Sequence, residues 1–427
     1  MNDTNLSVYK TIGYIYHQLE DYENASKYMN KFVIYGSTPQ ITAEDYNLLG
    51  FYYERLYTNK THNIKDLDKA INNFIMASYR KPNDKNYLKN VIIGATKANK
   101  FVLAGRYWNK LFKLGGLTND DKFDYAAYCL KTGDFEGWGK YFDFRFDKET
   151  NPTVIPEINK PKWDGNIDLS DKTLLVCYEQ GFGDTILMAG YLPRLTKIAK
   201  HIIYVVQDSL YTLLKDNTIG VKVISATEFK NNNIEYDYYI PSMSIPIVLK
   251  LNRDNISVGE GYIKPNPDIA KEYKEKYFKN NKLKIGLSVS GNKNGDTTRD
   301  VPLDKLLPLA ELDNVQLYNL TKDVTDEQLS IFNGKVINLG KTFNNFADTA
   351  EAMANCDIVI SADNVLMNLA GAIGNKTFGL FNYSNQFRYF DLTGDNIVWL
   401  TSVKPFVCNS MDKWEDVIDS IIKEISK

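Results

Sequence analysis

The sequence predicts a helical array followed by two doubly wound α/β domains, and three observations predict it. Apolar and aromatic residues recur at helical spacing, with small residues between them, up to about residue 145. Strand-like apolar runs then alternate with helical segments. The strands of this second part end in loops of glycine, serine, amide and acidic residues. At 427 residues the chain is long enough for several domains, each with its own core. The assignment is 1–148 for the array, 149–270 for a first α/β lobe and 271–427 for a second.

Within the array, "YKTIGYIYHQLEDYENASKYMNKF" sets Tyr9, Ile12, Gly13, Tyr16, Tyr22, Ala25 and Tyr28 in the large, large, small, large, aromatic, small, aromatic order of a tetratricopeptide unit. Gly13 and Ala25 are expected to let two helices approach closely, while the large residues fill the space between neighbouring pairs. A second copy runs through Tyr46, Leu49, Gly50, Tyr53, Ala70, Phe74, Ala77 and Pro82, with its inter-helix loop lengthened by "TNKTHNIKD". A third, weaker copy runs from Leu88 through Ala95 and Ala104 to Leu111. A fourth, in "GDFEGWGKYFDFRF", closes the array. The alternative is a plain helical bundle with an aromatic core, and in both cases the aromatics are structural. A solenoid also offers a concave face to a protein or glycan partner.

From Asp171 onward, "KTLLVCYEQ", "HIIYVVQ", "VKVIS" and "YDYYIP" read as strands separated by helices. The charged "NPDIAKEYKEKYFKNNK" reads as a helical linker. Alternation then resumes with "LKIGLSVSG", "VQLYNLT", "KVINLG", "DIVISADN" and "KTFGLFNYS" as strands. Two such domains in succession imply a cleft lined by the carboxyl ends of both sheets.

Composition narrows the function. Net charge is −2 with a pI near 6.1, and the basic residues form no stripe, which argues against nucleic acid as a partner. The four cysteines form no CxxC pair and only three histidines are present, so neither a disulfide framework nor a metal site is expected. No signal-peptide pattern and no membrane-spanning run is read, and the expected location is the cytoplasm.

The loops carry the candidate chemistry. In "EQGFGD", Gln180, Gly181 and Gly183 bring backbone close to a ligand and leave Asp184 exposed at a helix start, as a helix cap or as a base for an attacking hydroxyl. The loop fits neither GxGxxG nor, in "GNKNGD", a Walker sequence. Ser290, Gly291 and Asn292 offer backbone N–H groups, and Arg299 follows with the planar charge that suits a diphosphate. Asp363 and Asn364 stand where a strand turns into a helix, with Asp363 read either as the helix cap or as a partner for a ribose hydroxyl.

As a set and in this order, "GDFEGWGKYFDFRF", "PKWDG", "KTLLVCYEQGFGDTILMAGYLP", "YDYYIPSMSIP", the "GN" and "RDVPLDKLLPL" of the following loop, and "FADTAEAMANCDIVISADNVLMNLAGAIGNKTFGLF" resemble bacterial tetratricopeptide proteins that carry a glycosyltransferase domain. That domain is similar to the ADP-heptose:lipopolysaccharide heptosyltransferases and more distantly to O-linked N-acetylglucosamine transferases. The resemblance covers nearly the whole chain. It implies a GT-B fold, with the acceptor on the first Rossmann-like lobe, a nucleotide sugar on the second, no cofactor and no metal. It also implies Asp184 as catalytic base, Arg299 on the donor diphosphate, and Asp363 with Asn364 as the donor-binding pair. Asn368 stands where the family usually has histidine, and a second histidine of the related repeat proteins is replaced near Lys293. Asn368 can donate to a phosphate through its amide but carries no charge. The expected function is therefore an inverting, metal-independent glycosyltransferase. The alternative is a nucleotide-sugar-binding adaptor without turnover.

Overall fold

The computed structural model describes residues 3–37, 39–218, 220–290, 297–384 and 395–427. Gly291 and Asn292, together with Lys293, lie outside them. The chain divides into two compact units, one made of residues up to Asp121 together with Asn409–Asp412, the other of Lys122–Cys408 and Lys413–Lys427.

The first unit holds α1 (Asp3–Gln18), α2 (Tyr22–Tyr35), α3 (Ala43–Leu56), α4 (Ile64–Arg80), α5 (Lys85–Lys97) and α6 (Phe101–Leu114), packed as successive hairpins. Gly13 and Gly50 stand where a helix crosses its partner. A Cβ on Gly13 would lie 3.2 Å from the Met29 backbone N, and one on Gly50 would lie 2.6 Å from the Phe74 ring. Asp21, Thr42, Asn63 and Asp84 each cap the helix that follows by accepting a backbone N–H. The "TNKTH" insertion extends α3 as a π-helical turn, Tyr57–Thr61, and ends with His62 in the left-handed region at φ 48°. His62 Nδ1 then stands 2.6 Å from Asp412, and Met411 packs beside Tyr57 and Ile71.

The second unit begins with α7 (Asn119–Lys131), whose first residues belong to the other unit, and α8 (Phe135–Tyr141), which continues as a 3-10 turn, Phe142–Phe146. The compact unit that holds the α/β lobes thus begins at Lys122. Cys129, Leu130, Trp138 and Phe142 are fully buried in the core of the α/β unit, with the Trp138 ring edge-on to Trp399 at 6.1 Å. Tryptophan and phenylalanine of that size join whichever core can cover them.

The first lobe carries β1 (Thr173–Cys177), α9 (Phe182–Ala189), α10 (Leu192–Leu195), β2 (His201–Val206), α11 (Asp208–Lys215), β3 (Val221–Ser225), α12 (Ala226–Asn231), β4 (Tyr238–Pro241) and α13 (Ile245–Val248). Its sheet is parallel throughout, in the order β3-β2-β1-β4. The linker helix α14 (Pro267–Tyr277) leads to β5 (Leu283–Ser288), α15 (Leu307–Ala310), β6 (Val315–Asn319), α16 (Asp326–Leu329), β7 (Val336–Asn338), α17 (Phe346–Met353), β8 (Ile358–Ala362), α18 (Val365–Ile373), β9 (Thr377–Phe381), β10 (Val403–Val407) and α19 (Trp414–Ile425). The second sheet, also parallel, runs β10-β9-β8-β5-β6-β7, which is the doubly wound Rossmann order. The fold is thus a repeat array and two Rossmann-like lobes, as expected. Strand β10 was not foreseen, because "VKPFV" carries a lysine and a proline and reads as an edge. Among the described residues it pairs on one side only, with β9.

The segment between the lobes is itself woven into both. Tyr262 donates to the Ile186 carbonyl of α9 at 3.1 Å, and the Ile263 N–H donates to Ala372 of α18 at 3.1 Å. Helix α14 then packs on α17, where Asn355 donates to Ala270 at 2.9 Å and Tyr273 meets Phe343. Glu351 is buried at this contact, and its Oε2 has no partner among the described residues. Burial, aided by Asp348 and Glu272 and opposed by the Asn266 N–H, raises its carboxyl to about 7.

A carboxyl whose folded pKa lies above its unfolded value of 4.5 contributes stability that is complete below pH 4.5 and lost as pH rises through about 7. Thermal melts should therefore show wild-type protein losing on the order of 2 kcal/mol between pH 5 and pH 8 from this group. Glu351→Gln should remove that component and melt higher than wild type at pH 8. Parallel pH profiles for the two proteins would exclude it.

Candidate active site

In an open parallel sheet, the loops leaving two neighbouring strands diverge where the strand order reverses, and a crevice opens there. In the first lobe that point lies between β1 and β4, and in the second between β5 and β8. The candidate residues follow from it. "EQGFGD" leaves β1, Ser290 and Arg299 follow β5, and "DN" leaves β8.

The loop after β1 is fixed from below. Glu179 is fully buried and receives Arg145 through two nitrogens, at 2.6 and 3.0 Å, and the Met243 N–H at 2.7 Å. Arg145 also donates to Ser244 at 2.8 Å and to Asp143 at 2.6 Å, and its guanidinium lies between the Phe142 and Phe146 rings. Burial acts to raise the Asp143 carboxyl, but Arg145 and Lys162 outweigh it and hold the group below the usual carboxylate range. A guanidinium stripped of water and bonded by this many acceptors sets the position of everything it touches. Neither Arg145 nor Glu179 was singled out in the sequence. The signal was the arginine in "FDFRF", hidden because a repeat motif was expected to end there.

Above this anchor Gln180 is held through its carbonyl by Gln207, at 2.9 Å, and Gln207 in turn accepts from Thr185 at 2.8 Å. Gly181 caps α9, and Asp184, three residues on, accepts the Gly181 N–H through Oδ2 at 3.2 Å. Asp184 is 6% exposed, not exposed as expected. Reaching back to the cap turns its carboxylate inward.

In the second lobe Asn364, not Asp363, caps the helix. Its Oδ1 accepts the Leu366 and Met367 N–H groups at 2.9 and 3.4 Å. Its amide nitrogen donates to the carbonyls of Ser288 and Ser290, both at 3.2 Å, and so ties the end of β5 to the end of β8. The second and third amides of α18 are thereby occupied by the chain itself. Arg299 sits on a 3-10 turn held by Asn382, which donates to the Thr298 carbonyl at 2.9 Å. Its Nη1 donates to the Asp363 carbonyl at 3.2 Å and stands 3.8 Å from the Asp363 carboxylate. Asp363 is 5% exposed. It acts also on Lys131, the last residue of α7: burial pulls that ammonium down to about 8, and the Asp363 charge opposes the fall. Lys131 was not anticipated, because a lysine in the last turn of a helix is ordinary.

The two lobes meet where α9 and α18 begin. A Cβ at Gly183 would lie 2.6 Å from the Asn368 side-chain nitrogen and 3.4 Å from the Val365 Cα. Gly183 is therefore required by helix packing, whereas a Cβ at Gly181 would make only an ordinary contact, 3.6 Å from Asp184 Oδ2. Asn368 is buried at this crossing and its Oδ1 has no partner among the described residues. Phe182 and Phe346 meet across the same seam with ring centroids 5.3 Å apart. Asp184 and Asp363 thus stand on facing lobes, each next to the crossing.

No family model matches the chain. Protein FlbA of Caulobacter vibrioides is 24% identical over 313 residues, which are 67% of this chain and 51% of that protein, so the chain spans about half the length of that curated relative. A glycosyl transferase family 9 structure from Veillonella parvula aligns at 16% identity and a TM-score of 0.45, over 62% of this chain and 91% of that one. The E. coli ADP-heptose lps heptosyltransferase II aligns at 11% identity and a TM-score of 0.41, over 60% of this chain and 100% of that one. No helix among the described residues is long and apolar enough to cross a membrane.

Two outcomes are expected. Gly183→Ala should lower stability by about 1–3 kcal/mol in denaturant unfolding, because Asn368 has little room to give way. Asn368→Ala in the same chain should recover most of that loss, and a double mutant no better than the single would place the strain elsewhere. Arg145→Ala should cost about 3–5 kcal/mol, since it leaves Glu179 charged and buried without its main partner. A loss under about 1 kcal/mol would mean that water replaces the guanidinium.

Proposed function

We propose that this chain is a glycosyltransferase that moves a sugar from a nucleoside-diphosphate donor to a hydroxyl acceptor with inversion at the anomeric carbon. The observation that carries the reading is the crossing of α9 and α18. It packs the first turn of α9, which carries Asp184, against α18, which follows directly on Asp363 and Asn364, at the carboxyl ends of both sheets. The family resemblance of the motifs supports the same assignment.

The donor lies on the second lobe and the acceptor on the first. The acceptor hydroxyl gives its proton to Asp184 as its oxygen attacks the anomeric carbon. The bond from that carbon to the diphosphate breaks on the opposite face, and its electron pair leaves with the phosphate. Arg299 is poised to stabilise the charge that collects there, and in this reading side-chain cations serve in place of a metal. The hydrogen bond from the Gly181 N–H to Oδ2 fixes the orientation of the base before substrate arrives. A protein or glycan acceptor is presented by the repeat array, and the reaction belongs in the cytoplasm, where sugar nucleotides are made.

A second reading, an adaptor that binds a sugar nucleotide without turnover, is favoured by Asn368. The side chain at that position is a neutral amide and is spent on packing against Gly183.

Asp184→Asn decides between them. Asparagine keeps the size and an oxygen for the Gly181 N–H but takes no proton at neutral pH. The variant should fold and bind donor nearly as wild type does, while release of nucleoside diphosphate in the presence of acceptor falls ~100-fold to 10,000-fold. Equal rates in the two proteins would remove Asp184 from the mechanism. Absence of release from wild type across a panel of donors and acceptors would select the adaptor.

A further inference from the structure

One surface of the repeat array holds polar atoms that its own packing leaves open. On α1, Lys10, Tyr14 and His17 share a helix face at i, i+4 and i+7, as do Asn47, Phe51, Glu54 and Arg55 on α3 and Asn90, Ile93 and Lys97 on α5. Contacts join the three faces. His17 meets Phe51 edge-on at 5.8 Å and Tyr52 at 5.2 Å, Asn90 donates to Asn47 at 2.6 Å, and Lys97 bonds Glu54. Tyr14 and Ile93 are exposed on this surface, and His17 and Phe51 are half-buried. Two steps of about 10 Å between helix axes span roughly 20 Å, the reach of about six extended residues and well beyond a single sugar ring.

At the end where α1 meets α3, two buried atoms lack partners. Tyr52 is 0% exposed, and neither its hydroxyl nor His17 Nδ1 has a hydrogen-bond partner among the described residues. Both belong to a group of rings, with Tyr14 edge-on to His17 at 6.1 Å and Tyr22 at 6.0 Å from His17 and 6.3 Å from Phe51. Buried polar atoms are seldom left open, and two in one cluster point to a group that is taken up from outside. Burial pushes the Tyr52 phenol up to about 12, so the hydroxyl keeps its proton at neutral pH and is a donor.

Arg55 supplies the charge. Its guanidinium lies over the Phe51 ring at 4.9 Å, and its acid, Glu54, stands 3.7 Å away and is more closely bound by Lys97. Two cations thus share one carboxylate. The other acids nearby are engaged or distant: Asp45 is held by Lys10 at 2.6 Å, Asp21 caps α2, and Glu44 lies at the far end of α3, roughly 16 Å along the helix from Arg55. An exposed guanidinium with a phenol O–H and an imidazole beside it, all against apolar rings, suits a carboxylate with an apolar neighbour.

We propose that this surface docks an acidic segment of a protein partner: Arg55 donates to its carboxylate, the Tyr52 hydroxyl and His17 Nδ1 complete the bonding, and the neighbouring apolar side chain lies on Phe51 and Tyr14. Access to the two buried atoms comes by rotation of Tyr14, since an exposed side chain changes rotamer readily. The inference rests on the reading of the array as the part that presents an acceptor, and names the chemistry by which that acceptor is held.

The test is fluorescence anisotropy of the full chain, without donor, with the labelled peptide Ser-Asp-Phe-Asp-Phe-Ser and with counterparts that carry Asn or Lys in place of Asp. The acidic peptide should bind at least tenfold more tightly than either counterpart, and less tightly as salt is raised. Arg55→Gln should weaken that binding roughly ten- to hundredfold, and Arg55→Lys less. Tyr52→Phe removes an oxygen that makes no bond within the array, so it should melt no lower than wild type and yet bind roughly three- to tenfold more weakly. A purely structural tyrosine would not separate the two readouts. If the acidic peptide binds no better than its counterparts, or if Arg55→Gln and Tyr52→Phe bind it as wild type does, the inference is overturned. Displacement of the peptide by an equal concentration of glucuronate as effective as by unlabelled peptide would assign the surface to acidic sugars and overturn it as well. Donor binding and turnover by the α/β lobes are measured apart from these titrations, so failure here leaves the transferase reading in place.

Discussion

At Gly183 the first turn of one helix lies against the first turn of another so closely that one added methyl group would strike the Asn368 amide. The rest of the α/β unit is arranged around this constraint. A helix that begins at a crossing must have its cap supplied locally, and both do: Asp184 reaches back to Gly181, and Asn364 holds its own helix while bonding to the end of β5. Each cap therefore lies within a few ångströms of the seam. The caps of two helices on different lobes are brought together by the same contact that joins the lobes.

Beneath that seam the forces are of a different kind. The loop before α9 is held by a buried ion pair whose formation costs desolvation and whose loss would cost more. Arg145 repays the desolvation with bonds to Glu179, Asp143 and Ser244 and with two aromatic faces. The result is specificity of position: the chain after β1 has one path, and Gln180 through Asp184 lie along it. On the other lobe the corresponding task falls to a neutral amide, Asn364, and to Asn382 under the Arg299 turn.

Much of the fold was legible because it rests on periodicity. The spacing of Gly13 and Gly50 against their partner helices, the runs that became β1, β2, β5 and β8, and the loops at the strand ends all repeat at 3.6 or 2 residues or stop at glycine. What was not legible depended on contacts distant in sequence. Nothing local tells that Asn364 and not Asp363 turns back to the helix, since both are good caps and the choice is made by Ser288 and Ser290 some 75 residues away. Asp184 looked exposed because the helix across the seam is not visible from its own neighbours. Lys131 looked like a dipole residue for the same reason. The edge strand β10 escaped because lysine and proline are what an edge strand carries.

The placement of α7 and α8 bears on how such a chain can be varied by descent. Helices α1 to α6 pack as successive hairpins in a unit of their own, so that stretch can gain or lose hairpins as a solenoid does, each addition meeting only its neighbour. The last hairpin has no such freedom. Trp138, Phe142 and Arg145 are internal parts of the α/β unit, and exchanging that hairpin for another copy of the repeat would remove a tryptophan from one core and an arginine from another lobe's loop. A recombination boundary near Asp121 keeps the α/β core whole and separates the first unit only from its Asn409–Asp412 segment, whereas one near residue 148 divides the core that holds Trp138 and Phe142.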